Sequence, residues 1–128
     1  MNKVKAVWEL MRLEHGVMIG LAIIIGSVIA ARESLGTLPL DTFFITFFNT
    51  YWYKIILTFF TALFLEASTF ALNDFYDLEI DRRNKRSDRP LVRGDLAPKT
   101  AVYLFFILFP LGIICSYFVN LTCFLIAL

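Results

Sequence analysis

The sequence predicts an all-α fold, a polytopic bundle of transmembrane helices, and three observations predict it. Of its 128 residues, 59% are hydrophobic and 18% are charged, whereas soluble domains are about 45–50% apolar and about 25% charged. The mean hydropathy is +0.71, and long apolar runs alternate with short charged segments. This composition excludes a disordered tail, a coiled coil and an ordinary soluble domain. Because a span needs about 20 residues, the chain has room for four or five spans at most.

The first element is predicted as an amphipathic helix over residues 2–15 that lies at the membrane interface. Its apolar positions follow the i, i+3, i+4, i+7 spacing of one helix face, and they are Val4, Val7, Trp8 and Met11. Leu10 and Leu13 fall outside this stripe.

The first span is predicted over residues 16–31. Residues 17–31 carry no charge, and continuation of the helix from the preceding turn lengthens this short run. A cleaved signal peptide is the alternative, but the long segment before the run contains acids and fits such a leader poorly. Gly16 and Gly20 form a small-xxx-small pattern, which lets a second helix approach closely.

A loop and an interfacial aromatic belt are predicted over residues 35–53. Gly36, Pro39 and Asp41 interrupt the apolar pattern, and the aromatic cluster that follows is typical of a membrane interface. The second span is predicted over residues 54–73, with its helical pattern continuing into charged sequence.

The third span is predicted over residues 100–119, with Pro98 in its first turn. Pro110 is expected to kink this helix, and Asn120 is expected to mark a turn. A further apolar segment begins at about residue 121, and its eight residues are too few to cross a bilayer. We therefore expect three spans and the start of a fourth. Cys115 and Cys123 lie inside apolar runs without metal-site spacing, which predicts buried thiols.

The distribution of basic residues predicts the topology. Residues 1–15 contain three Lys or Arg and residues 82–99 contain seven, which leaves only Arg32 and Lys54 elsewhere. The positive-inside rule then places the N-terminus and the loop over 82–99 in the cytoplasm, with the spans in the cell membrane.

Acidic residues crowd the end of the second span. At 100° per residue, Asp74, Asp77 and Asp81 fall within about 60° of one helix face, and Asn73 extends the same side. Such carboxylates repel one another unless cations hold them. Oxygen ligands favour Mg²⁺ or Ca²⁺, and Mg²⁺ is commonly shared between carboxylates and substrate phosphates.

The loop that follows has the opposite charge. Seven basic and two acidic residues over 82–99 amount to a net charge of +5. This arrangement suggests a diphosphate bridged by metal. The alternative is a solvated helix end at which the acids pair with Arg82, Arg83 and Arg86.

The pattern Asn73-Asp74-x-x-Asp77-x-x-x-Asp81, followed by Asp88-Arg89-Pro90-Leu91-x-x-Gly94, resembles the first aspartate-rich signature of the UbiA superfamily of intramembrane prenyltransferases. The resemblance extends over essentially the whole chain. It implies a bundle of roughly nine helices, of which residues 1–128 form the N-terminal part of one transmembrane domain. It also implies a second aspartate-rich motif, and no acidic residue follows Asp95. These residues alone are therefore expected to be inactive.

The resemblance implies that Mg²⁺ is the cofactor and that an isoprenoid chain passes from a prenyl diphosphate donor to a lipophilic acceptor among membrane lipids. Asp77 and Asp81 would be catalytic. The implied metal ligands are Asn73, Asp74, Asp77 and Asp81. The implied diphosphate ligands are Arg89 at the family's Arg-Pro position, together with Arg82, Lys85 and Arg86. Arg83 and Arg93 are further candidates. Topology or lipid contact is the alternative role for all of these loop cations except Arg89.

Glu66, Arg12 and His15 are candidates for lining the central cavity. Glu66 lies on the face of Asn73 about 10 Å deeper, and an ionisable group at that depth usually has a partner or a function. The alternative is a protonated Glu66 bonded to Ser68, Thr69 or a backbone carbonyl. His15 is the only histidine, so it is either a general base or a solvated side chain.

The segment Glu79-Ile80-Asp81-Arg82-Arg83-Asn84 is similar to archaeal ether-lipid members that alkylate geranylgeranylglyceryl phosphate. Prenylation of an aromatic acceptor such as 4-hydroxybenzoate is the alternative. A non-enzymatic membrane protein that binds anionic lipid through its basic loop is a more remote one, because it leaves the acidic residues unexplained. No nucleic acid partner is expected.

Overall fold

A computed structural model describes residues 2–128, and every regular element within that range is helical. The elements are α1 (Lys3–Met11), a 3₁₀ turn (Leu13–His15), α2 (Gly16–Leu35), α3 (Leu40–Tyr76), α4 (Leu78–Arg83), α5 (Pro90–Arg93), α6 (Pro98–Val119) and α7 (Leu121–Ala127). Three segments are long and apolar enough to cross a membrane: Leu13–Leu35, Leu40–Tyr76 and Pro98–Val119. The protein is an integral membrane protein, and the predicted all-α transmembrane fold is confirmed.

Helix α3 is the centre of the bundle, and α2 packs antiparallel to it through its glycines. A Cβ atom added to Gly16 would lie 3.3 Å from Leu63 Cδ1, and one added to Gly20 would lie 3.5 Å from Phe59 Cε2. The small-xxx-small pair therefore faces α3, where the absence of side chains lets the two helices approach.

Helix α6 packs along another side of α3, and its closest approach is at Gly112. A Cβ atom there would lie 2.9 Å from Leu65 Cγ and 3.3 Å from the Leu65 backbone nitrogen. Helix α6 begins with Pro98 and continues through Pro110 to Val119. The Asn120 side chain then accepts a hydrogen bond from the Cys123 N–H at 2.7 Å and starts α7.

The structure corrects the predicted loop over residues 35–53, because α3 already begins at Leu40. Phe43 and Phe47 lie one turn apart and stack with their ring centroids 5.9 Å apart. Both are buried with Ala31 of α2, so the aromatic cluster forms the first turns of the helix. At 1.5 Å per residue, this 37-residue helix is about 55 Å long, well beyond the roughly 30 Å hydrocarbon core.

The structure also divides the predicted helix over residues 2–15. Helix α1 ends at Met11 because Arg12 adopts a left-handed conformation, with φ +50° and ψ +43°. Within α1, Val4 and Trp8 are exposed whereas Ala6 and Leu10 are fully buried. The predicted stripe therefore faces outward at Val4 and Trp8. Leu10, which departs from the stripe, makes the contact with the protein together with the half-buried Val7.

A hydrophobic cluster joins α1 and the basic loop to the end of α3. Its buried members are Ala6, Leu10, Ala71, Leu78, Leu91, Leu96 and Ala101. We call this end of the bundle the motif end. The cluster fixes the basic loop beside the acidic residues.

Candidate active site

The acidic motif spans a break between α3 and α4. Helix α3 ends at Tyr76 and α4 begins at Leu78, with Asp77 between them. The Asp77 N–H still donates to the Asn73 carbonyl at 2.9 Å, and the Asp81 N–H donates to the Asp77 carbonyl at 2.8 Å. Because these bonds have the i to i−4 spacing of a helix, the predicted ladder of Asn73, Asp77 and Asp81 persists across the break.

The four candidate metal ligands differ in burial. Asn73 is exposed and Asp77 is half-buried, whereas Asp74 and Asp81 are only 4% and 8% exposed. A buried carboxylate requires a partner. The partners of Asp74 and Asp81 therefore decide what each residue can do.

Asp74 is held by two arginines from distant parts of the chain. Its Oδ1 accepts a hydrogen bond from Arg12 Nη2 at 3.2 Å and another from Arg89 Nη1 at 2.8 Å. Arg12 belongs to the turn after α1, and Arg89 directly precedes α5. We call this group the arginine clamp. It occupies the Oδ1 atom of Asp74, a residue that the sequence prediction assigned to a metal.

Arg89 also faces Asp81, but at a longer distance. Its Nε lies 3.8 Å from Asp81 Oδ2, which is too far for a hydrogen bond. This Nε atom is buried and has no hydrogen-bond acceptor within residues 2–128. Since a buried donor without a partner costs about 1–3 kcal/mol, the position is suited to an acceptor supplied by a ligand.

The other cations of the loop have different roles. Arg86 binds Asp88 through two bonds of 2.9 and 2.8 Å, and this hydrogen bonding lowers the pKa of Asp88 to about 2. Arg93 donates to Glu9 and Asp95 and to two backbone carbonyls, so it ties the loop to α1. Of the predicted diphosphate ligands, Arg89 is the one whose side chain contacts the acidic motif within residues 2–128.

Arg82 and Lys85 are exposed and make no side-chain hydrogen bond or ion pair within residues 2–128. Within this range, the side chains of the motif acids do not make the pairs with Arg82, Arg83 or Arg86 that the alternative interpretation of the sequence predicted. Arg12 and Arg89 fill that role.

Glu66 and His15, two separate candidates in the sequence, form a pair. His15 Nδ1 lies 3.3 Å from Glu66 Oε1. The hydroxyls of Ser68 and Thr69 instead donate to the Leu65 carbonyl, each at 2.8 Å. The predicted alternative for Glu66 is therefore replaced by a contact between α3 and the 3₁₀ turn that precedes α2.

Phe70 connects this pair to the arginine clamp. The Arg12 Cζ atom lies 4.1 Å from the Phe70 ring centroid, in the geometry of a cation–π contact. The His15 ring meets Phe70 edge-on, with the centroids 5.6 Å apart. A continuous set of contacts thus runs along α3 from Asp74 to Glu66.

The donor set fits Mg²⁺ shared with a ligand better than a metal held by protein alone. Within residues 2–128, no three His, Cys, Asp or Glu side chains form a metal cluster. The side chains of Asn73 and Asp77 make no hydrogen bond or ion pair in that range. Mg²⁺ typically takes one or two carboxylates and completes its shell with water and phosphate oxygens.

These features define the class of protein as a helical membrane protein with oxygen ligands and arginines gathered at one end of its bundle. A model of the UbiA prenyltransferase family matches residues 43–128, and the chain belongs to that family. The resemblance seen in the motif is confirmed.

Two curated relatives are named digeranylgeranylglyceryl phosphate synthase. The one from Archaeoglobus fulgidus is 43% identical over 116 residues, which cover 91% of this chain and 34% of the relative. The one from Methanosarcina barkeri is 32% identical over 134 residues, which cover 98% of this chain and 42% of the relative.

A solved structure described as "Structural and mechanistic insights into the biosynthesis of Digeranylgeranylglyceryl phosphate synthase in membranes" is also similar. Its TM-score is 0.77 at 31% identity, covering 99% of this chain and 40% of that one. The chain thus spans about a third to two fifths of the length of the proteins that it matches.

The clamp was not predicted as such from the sequence. Arg12 and Asp74 lie 62 residues apart, and helical spacing relates only residues a few positions apart. The sequence does contain one indication of these contacts. Arg12 and His15 stand shortly before the first span, and their acidic partners Asp74 and Glu66 stand in the second.

Proposed function

We propose that the protein takes part in Mg²⁺-dependent transfer of an isoprenoid chain from a prenyl diphosphate to a lipophilic acceptor in the membrane. One observation carries the proposal. Arg89 presents a buried Nε without an acceptor beside the acidic motif, where Asn73 and Asp77 have side-chain oxygens without partners in residues 2–128. A diphosphate can accept hydrogen bonds from arginines and share Mg²⁺ with oxygen ligands, so a site that combines both groups is suited to binding it.

Asn73, Asp77 and Asp81 would hold Mg²⁺ together with phosphate oxygens. The metal would neutralise negative charge on the diphosphate as the bond between carbon and oxygen ionises. Asp77 and Asp81 are the proposed catalytic members of this set. Asp74 is proposed to act differently from the sequence prediction, by holding Arg12 and Arg89 in position.

Arg89 and Arg12 would bind the diphosphate directly. A guanidinium group donates several N–H bonds in a planar fork that matches phosphate oxygens. Negative charge grows on the diphosphate as it leaves, so donors already oriented by Asp74 stabilise that stage most. The exposed Arg82 and Lys85, with Arg86, would form a basic rim that attracts anionic substrates.

The proposed acceptor is geranylgeranylglyceryl phosphate, as in ether-lipid synthesis. The names of the relatives from Archaeoglobus fulgidus and Methanosarcina barkeri support this choice over 4-hydroxybenzoate. The basic residues of the N-terminus and of the loop support a cytoplasmic location for the motif end in the cell membrane. The charged groups of both substrates would then enter from the cytoplasm.

Binding of geranylgeranyl diphosphate to the full-length protein in liposomes tests the proposal. We expect binding to require Mg²⁺, to disappear with a chelator, and to weaken about 10- to 100-fold in Asp77→Ala. Asp41→Asn is the control, because Asp41 is exposed near the other end of the same helix. Binding that is indifferent to Mg²⁺ and to Asp77 would contradict the proposal. Supplying both acceptors in the same liposomes then tests the acceptor class.

A further inference from the structure

The pair formed by His15 and Glu66 has the arrangement of a general base and the group that orients it. His15 Nδ1 faces Glu66 Oε1 at 3.3 Å, and the two side chains are 37% and 31% exposed. A proton on Nδ1 directed at the carboxylate leaves the lone pair on Nε2 available. The Nε2 atom has no hydrogen-bond partner within residues 2–128.

We propose that His15, oriented by Glu66, accepts the proton of the acceptor hydroxyl during prenyl transfer. This inference rests on the proposed function, in which the acceptor is a glyceryl phosphate and reacts through an alcohol oxygen. An alcohol that becomes an ether must lose its proton. In the proposed diphosphate site the arginines cannot accept that proton, and the motif carboxylates would be occupied by Mg²⁺.

The position of the pair agrees with this role. His15 contacts Phe70, which lies four residues, or about 6 Å along the helix, before Asp74. Glu66 lies four residues deeper again. The reactive carbon of the donor is attached to its diphosphate, and the apolar chain continues into the bilayer. The hydroxyl that attacks this carbon therefore belongs on the bilayer side of the arginine clamp, where the pair lies.

Prenyl transfer breaks two bonds and forms two. The bond between the prenyl carbon and the diphosphate oxygen breaks, and its electron pair leaves with the diphosphate. A lone pair of the hydroxyl oxygen forms the new bond to that carbon. The hydroxyl bond breaks with its electrons remaining on oxygen, and the proton passes to His15 Nε2.

Other charged groups bear on His15 from the elements around it. Glu66 faces it from α3, and Arg12 lies on the same Phe70 ring, with Asp74 and Arg89 beyond it. Glu14, its exposed neighbour in sequence, makes no ion pair in residues 2–128. Glu14→Gln is therefore a matched control for a change of charge close to His15.

The test is His15→Asn in the full-length protein in liposomes, with geranylgeranyl diphosphate and geranylgeranylglyceryl phosphate as substrates. Asparagine retains an N–H that can donate to Glu66 but has no basic nitrogen. We expect kcat to fall about 100-fold or more while the KM of the donor changes little. Glu66→Gln should lower kcat less, about 10-fold, and Glu14→Gln should leave it unchanged. Added imidazole should restore part of the His15→Asn rate.

The pH profile gives a readout that a structural role would not change. Wild-type kcat should decline as the pH is lowered, and His15→Asn should lack this decline. A His15→Asn rate close to that of wild type, a flat wild-type profile, or parallel loss of donor binding would overturn the inference. Failure of wild type to bind the donor with Mg²⁺ would instead refute the proposed function.

Discussion

Replacing Asp74 with asparagine tests whether Asp74 holds the two arginines of the clamp or binds a metal ion. The substitution keeps the shape and the Oδ1 acceptor but removes the charge that Arg12 and Arg89 share. A hydrogen bond to a charged group contributes about 1.5–3 kcal/mol, and loss of the charge roughly halves a charge-assisted bond. For two bonds the expected loss is about 1.5–3 kcal/mol. The arginine side chains are 22% and 20% exposed, which favours the lower part of that range.

Thermal unfolding of the full-length protein in detergent measures this loss. At about 2–4 °C per kcal/mol, Tm should fall by roughly 3–12 °C. Donor binding should also weaken, because Arg12 and Arg89 are no longer held in position. The Mg²⁺ concentration that gives half-maximal binding should change little, because Asp74 is not a proposed ligand.

Asp41→Asn provides the same chemical change at an exposed position in the first turn of α3. Its effect on stability should be below about 1 kcal/mol. If Asp74→Asn left Tm unchanged and raised the Mg²⁺ requirement about tenfold or more, Asp74 would be a metal ligand. The reasoning from its two ion pairs would then be refuted.

Two further predictions concern packing, and unfolding of the same preparation checks both. Gly112→Ala places a Cβ atom 2.9 Å from Leu65 Cγ, so it should destabilise the protein by about 1–3 kcal/mol. Gly26→Ala, with nothing within 4 Å, should be neutral or stabilising by up to about 1 kcal/mol, and similar losses at both glycines would contradict this account. Leu10→Ala removes a fully buried side chain and should cost about 2–5 kcal/mol. Val4→Ala, 74% exposed in wild type, should stay within about 0.5 kcal/mol, and a larger effect at Val4 would show that the wrong face of α1 has been assigned to the core.

The predicted spans and motif followed from local properties. Apolar runs identify helices that can cross a bilayer, because no unpaired backbone polar group is tolerated there. The ladder of Asn73, Asp77 and Asp81 depends only on helical spacing, and the hydrogen bonds across Asp77 preserve it. The close approach of α2 at Gly16 and Gly20 was also visible in the sequence.

The prediction of a loop over residues 35–53 was wrong, because the aromatic segment is helical from Leu40 onward. Phe43 and Phe47 suit an interface as well as a buried helix face, so composition could not distinguish the two. In the structure both side chains are buried against Ala31, and this packing favours the helix over an interfacial loop. Leu10 is a similar case, because its place outside the apolar stripe of α1 says nothing about which face of that helix meets the protein.

The sequence by itself determined that this is a helical membrane protein with a family signature, because hydropathy, charge asymmetry and motif spacing are properties of short segments. Only the tertiary structure decided which charges meet. Asp74 pairs with Arg12 and Arg89, and His15 contacts Glu66. The Nε of Arg89 has no acceptor in residues 2–128. The physical reason is that buried charges must find partners, and these partners lie 15 to 62 residues apart, beyond the reach of any helical period.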